Sequence, residues 1–209
     1  MRNFKSLAGI FALTAAIGAS TSCGDVARLG RSPVFLVINT LQASAGGASA
    51  GTLSGTLQSD VLTLVRSPAP CTPAAPCPSI FSDTGSVSLR TAAKDVLSPS
   101  APTTNNDVTI NRYRVVYRRA DGRKTQGVDV PYAFDGAVTG TVPAAGTLTL
   151  GFEIVRHVAK MESPLVQLIN SPTIISTIAD VTFYGADRVG NDISVTGSIT
   201  IDFGNFGDN

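Results

Sequence analysis

The most constraining feature of the chain is the stretch DISVTGSITIDF at residues 192–203. Ile193, Val195, Ile199, Ile201 and Phe203 alternate with Ser194, Thr196, Ser198, Thr200 and Asp202. Successive side chains of a strand point to opposite faces, so apolar residues at every second position put one face on a core and the other in water. A helix would scatter the same residues around its circumference. Alternation of this length specifies a half-buried antiparallel strand.

The same signal recurs upstream. Leu148, Leu150, Phe152 and Ile154 share one face of residues 147–156, and Val181 and Phe183 share one face of 178–187. Val87 and Leu89 alternate with Ser86, Ser88 and Arg90 in 85–92. Residues 108–119 set Tyr113, Val115 and Tyr117 against Arg112, Arg114 and Arg118, and end at the hairpin-type turn Ala120-Asp121-Gly122-Arg123. The apolar, β-branched run 34–42 reads as a buried strand, and 60–66 as another. Residues 43–57, rich in Gly, Ala and Ser, read as a flexible loop or weak hairpin, and the prolines of 67–79 exclude that stretch from a sheet interior.

Composition agrees with this pattern. Glu occurs only at 153 and 162, while Thr, Ser, Val and Gly are abundant, a mixture that favours strands over helices. Only 155–170 has room for a helical turn, and Pro164 interrupts it. About seven to nine strands with turn signals between them predict an all-β, antiparallel β-sandwich, with a closed β-barrel as the alternative.

The N-terminus is built differently. Arg2 and Lys5 precede the apolar segment Leu7 to Ile17 and the small residues Gly18 to Ser22. That is the order of a secretory signal peptide, with a core too short to span a bilayer. Ser20-Thr21-Ser22-Cys23 resembles the lipobox of bacterial lipoproteins, departing from it at Ser20, where the family carries an aliphatic residue. The resemblance implies cleavage after residue 22, lipid on Cys23 and, with Gly24 following, placement in the outer membrane. Two or three acyl chains make such an anchor stable, at about 0.8 kcal/mol per buried CH₂. Cleavage elsewhere, giving a soluble secreted or periplasmic protein, is the alternative. Residues 24–33 lack periodicity and read as a tether, leaving 34–209 as one domain.

Of the three cysteines, Cys71 and Cys77 lie close together in CTPAAPC and are expected to pair in an oxidising compartment, leaving Cys23 as the odd one. Their spacing matches neither a CxxC redox motif nor a zinc site.

The segment ADVTFYGADRVGNDISVTGSITI resembles the last two strands of fibronectin type III and bacterial immunoglobulin-like domains. Tyr184, Gly185, Asp187, Gly190 and Asn191 carry the likeness, and TVPAAGTLTLGFEIV resembles the turn and strand that precede them. The resemblance implies a fold and no activity. The chain lacks Trp and the cysteine pair of antibody domains.

Chemistry-bearing residues are sparse. GASAG at 47–51 satisfies G-x-S-x-G with Ser49 central, but no helical pattern follows it as a nucleophile elbow requires. His157 is the single histidine and lacks the partners of a base or a metal ligand. The Asp-rich turns lack EF-hand spacing. No enzyme, metal or cofactor is expected. The near-neutral net charge of +1 gives no reason to expect nucleic acid.

Arg112, Arg114 and Arg118, with Arg119, Arg123 and Lys124 near the turn, are the local concentration of positive charge. They read either as a solvated, edge-protecting face or as a dock for an anionic polymer or acidic partner. Tyr132, in VPYAF, is the loop aromatic that a sugar platform would use. The expected function is a non-catalytic, lipid-anchored interaction or structural module of the cell envelope. A carbohydrate- or anion-binding domain is the alternative.

Overall fold

A computed structural model describes residues 30–47, 51–95, 97 and 103–207. The leader 1–22, Cys23 and Ser49 lie outside the described residues.

The described residues form ten strands: β1 (Val34–Ser44), β2 (Thr56–Asp60), β3 (Thr63–Val65), β4 (Cys77–Ser79), β5 (Asp83–Ala93), β6 (Val108–Arg119), β7 (Phe134–Val142), β8 (Thr147–Val155), β9 (Ile175–Asp187) and β10 (Asp192–Gly204). A three-stranded sheet, β1-β5-β8, faces a five-stranded sheet, β2-β10-β9-β6-β7, while β3 and β4 make a separate hairpin. The turn from β7 to β8 carries the chain from the edge of the larger sheet to the edge of the smaller. The all-β expectation holds.

Alternation sets the core. Ile199, Ile201 and Phe203 of β10, Val181 and Phe183 of β9, and Tyr113, Val115 and Tyr117 of β6 are all buried. They meet Val87 and Leu89 of β5 and Leu150, Phe152 and Ile154 of β8 in one cluster. The aromatic rings lock the layers together: Phe152 lies edge-on to Tyr113 and to Phe183, each at 5.2 Å between centroids. Such pairs add about 0.5–1.5 kcal/mol beyond their area. The turn after β9 follows the Asp-x-x-Gly-Asn pattern. Gly190 takes φ +88°, where a side chain would be strained, and Asp187 gathers the loop by accepting from the amides of Val189 and Asn191.

Two expectations need correction. The strand expected at 60–66 is two elements, since β2 ends at Asp60 and β3 starts at Thr63. The ends of the stretch 43–57 meet in the weak hairpin its composition allowed. Ala43 and Ser44 complete β1, Thr56 and Leu57 start β2, and the backbones of Ala43 and Ser54 bond to each other. The sheet is not wholly antiparallel, because β2 runs parallel to β10, with Leu57 opposite Ile201. The chain leaves the small sheet after β1 and joins the edge of the large one, so the direction of β2 follows from that crossing.

The strand β7 is not among those expected, since its sequence FDGAVTGTV shows no run of bulky alternating residues. Its inward positions include Gly136 and Gly140, and neighbours supply the missing bulk. Gly136 sits opposite Tyr113 in the ladder and that ring covers it, while Leu148 and Leu150 cover Gly140. These glycines are where rings and leucines approach the backbone.

Between β8 and β9, helix α1 (His157–Lys160) and a 3₁₀ turn (Leu165–Asn170) flank Pro164, as the helix-permitting composition implied. Cys71 and Cys77 are disulfide-bonded, closing the proline-rich loop between β3 and β4. No helix among the described residues is long and apolar enough to cross a membrane.

Candidate functional site

Arg112, Arg114 and Arg118 point outward from β6, opposite buried Tyr113, Val115 and Tyr117, as their parity required. They do not make a bare positive surface. Arg114 donates to Asp135 of β7 at 2.7 Å, Arg112 lies 3.5 Å from the same carboxylate, and Arg118 donates to Asp180 of β9 at 3.1 Å. Ser198 also donates to Asp180. The positions follow from register, because Asp135 lies directly opposite Arg114. Exposed pairs of this kind contribute only about 0–1 kcal/mol each. They compensate the arginine charge and take up part of its hydrogen-bonding capacity.

The basic turn is compensated too. Arg123 bonds Asp121 at 2.7 Å and approaches Asp129 at 3.6 Å, and Arg119 lies 3.7 Å from Asp121. Hydrogen bonds from Arg123 hold the Asp121 carboxyl down at about 2.

Arg112 has a second environment that its sequence position does not reveal. The β6 register shifts between Ile110 and Arg112, so Asn111 and Arg112 both face solvent in succession. A bulge of this kind re-aims side chains. It lays the Arg112 guanidinium over the ring of Tyr184, 3.7 Å from its centroid. The pair forms one wall of an open cleft of about 300 Å³, completed by Asn111, Asp192 and Ser194. A hollow of about 200 Å³ adjoins it along Asp192–Ser194, bounded by Val34, Phe35 and Lys94. There the Lys94 ammonium stands 5.3 Å from the Phe35 centroid and donates to the carbonyl of Gly30.

The cleft therefore offers a planar cation on an aromatic ring, an amide, a hydroxyl and one carboxylate. These groups suit hydroxyl-rich or anionic small ligands. The aromatic at this site is Tyr184, a strand residue that parity turns outward. Tyr132, the expected platform, is exposed in its loop against Gly127, away from the cleft.

His157 opens α1 on the surface. Among the described residues no group of three or more His, Cys, Asp or Glu could hold a metal ion. Asp187 serves its own turn: burial pushes its carboxyl up, and donation from Asn191, Ser32 and Val189 outweighs that and brings it below the usual range.

No protein-family model matches the chain, and no curated protein matches it. Among solved structures, a solution structure described as a late embryogenesis abundant (LEA) protein aligns with 78% of this chain and 70% of that chain, at 11% identity and a TM-score of 0.36.

Proposed function

We propose that this chain is a non-catalytic, lipid-anchored protein of the bacterial cell envelope. In this reading its fibronectin- or immunoglobulin-like sandwich presents an interaction surface to other envelope components. Cys23 carries the lipid after removal of 1–22, and the outer membrane is the destination. Support for export comes from the leader pattern and from a disulfide, which persists in oxidising compartments.

The observation that carries the interaction reading is the polarity of the sandwich. The segment entering β1 lies beside the β9–β10 turn, where Ser32 bonds Asp187. The connectors 61–82, 120–133 and 156–174 gather at the opposite end, where β2, β6, β8 and β10 finish. That far end exposes Val128, Tyr132, Val158, Met161, Val166 and Ile174. An anchor at the N-terminus turns this apolar end away from the lipid, towards a partner.

Two measurements test the reading. Intact-mass analysis of membrane-extracted protein should show Cys23 as the first residue with acyl chains attached, and Cys23→Ser should move the protein to the soluble fraction. Paired Met161→Asp and Ile174→Asp changes should reduce envelope proteins recovered by cross-linking without altering the fold. A soluble, unacylated product, or recovery unaffected by the paired changes, would refute it.

The cleft beside Arg112 and Tyr184 supports a second reading, a saccharide- or anion-binding domain. Calorimetric titration with acidic oligosaccharides should then show binding that Arg112→Ala removes while folding is retained.

A further inference from the structure

The interior holds a polar centre that neither reading uses. Asp83, the first residue of β5, is fully buried, and Lys160, the last residue of α1, is 1% exposed. Lys160 Nζ donates to Asp83 Oδ1 at 2.8 Å and to the carbonyl of Asp60 at 2.8 Å. The amide of Gly46 donates to the same Oδ1 at 2.8 Å, and Ser59 Oγ donates to Oδ2 at 2.6 Å. Glycine is required at position 46, because a Cβ there would run into the Ser82 carbonyl and Phe81.

Separated charges are costly in such a place, and a proton passing from Nζ to the carboxylate gives a neutral amine beside a neutral acid. Burial pushes the Asp83 carboxyl above its usual range despite the opposing charge of Lys160 and the hydrogen bonds it receives.

We propose that Lys160 and Asp83 condense into an intramolecular isopeptide bond, releasing one water. The neutral Nζ attacks Asp83 Cγ and a C–N bond forms. The transferred proton lies on Oδ1, the oxygen that Nζ contacts, so Oδ2 is the carbonyl oxygen and carries the negative charge of the tetrahedral intermediate against the Ser59 hydroxyl, as an oxyanion donor would hold it. The Cγ–Oδ1 bond then breaks, the Oδ2 carbonyl re-forms, and Oδ1 leaves as water. Both protons of that water come from the original ammonium: one through the initial transfer, the second from nitrogen after attack. Nothing is oxidised or reduced, and no further reactant is needed.

The surroundings already match the product. Its carbonyl oxygen, Oδ2, keeps the Ser59 hydroxyl, and its one remaining N–H keeps the Asp60 carbonyl. Holding both partners in contact supplies an effective concentration that reaches on the order of 10⁵–10⁸ M in well-oriented systems. The bond would join residues 77 apart in the chain and tie α1 to the start of β5.

Mass spectrometry of the purified, reduced and denatured full chain tests this directly. The expected protein is lighter than its sequence by one water, and trypsin yields a branched peptide joining 67–90 to 157–188, because a condensed Lys160 is no longer a cleavage site. Lys160→Arg should restore the full mass. Cleavage after Lys160, with peptides 67–90 and 161–188 unmodified, would overturn the proposal. So would a lost water without the branched peptide, as a succinimide at Asp121-Gly122 or Asp135-Gly136 would produce.

Discussion

Ile201 and Thr200 are adjacent in β10 and give the sharpest test of its pleat. Ile201 is fully buried between the sheets, while Thr200 is exposed on the outer face. Ile201→Ala removes three carbons, which at about 0.8 kcal/mol each is about 2.4 kcal/mol of transfer free energy. Ile201 lies on a central strand, flanked by β9 and β2, so the backbone cannot collapse into the gap. A residual cavity therefore adds to the loss, and the total should reach about 3–4 kcal/mol. Thr200→Ala removes no buried surface and should cost less than about 1 kcal/mol, mostly strand preference. Urea denaturation with the disulfide intact measures both, the difference appearing in the midpoint at unchanged m-value. A one-residue register error would exchange the two results, since a slip moves every side chain to the other face. Comparable losses at both positions would refute a half-exposed strand.

Gly136→Ala should cost about 1–3 kcal/mol, because the new methyl meets the Tyr113 ring, and a fall in Tm would report it. Asp83→Ala strands Lys160 in the core, so Asp83→Ala with Lys160→Met should be more stable than Asp83→Ala alone by about 3 kcal/mol, read from the two denaturation midpoints. Asp187 has a folded-state pKa below its unfolded one, so its contribution is present above the unfolded value and lost as pH falls through the folded value. Asp187→Asn should accordingly show a smaller loss of urea midpoint than the parent between pH 7 and the acid side of about pH 4. Reduction of Cys71–Cys77 should remove roughly 2 kcal/mol or less, since the closed loop is short, and amide exchange should quicken in β3 and β4 while the core strands stay protected.

What could be read from the sequence divides along physical lines. Strands whose burial is carried by their own side chains announce themselves, as β6, β8 and β10 do to within a residue. β7 does not, because glycines at 136 and 140 interrupt its core-facing Phe134, Val138 and Val142, and Tyr113, Leu148 and Leu150 from other strands fill those two places. The parallel placement of β2 depends on a crossing between sheets, which no local pattern encodes. Parity turned the three arginines outward correctly, yet the carboxylates beside them are set by register with β7 and β9. The cleft at Arg112 depends on a bulge, which the sequence marks only as a switch of apolar parity from Val108 and Ile110 to Tyr113 and Val115, while the placing of Arg112 over Tyr184 needs the register with β9. Lys160 and Asp83 meet only through tertiary packing: a helix-end lysine reads as solvated until the fold is known.

The opposed ends of the sandwich also fix how it would bear tension. The chain enters β1 at one end, and β1 runs antiparallel to β5 from Val34 opposite Ala93 to Ser44 opposite Thr84. A pull between residue 34 and the far-end connectors therefore acts along the strand axes. Backbone hydrogen bonds of the β1–β5 ladder are then strained together, in shear, and cannot open one after another as in a zipper. Were the N-terminus held, as the proposed lipid anchor would hold it, a tug on the far end would load the edge strand β1 along its length, and that strand would resist as a unit.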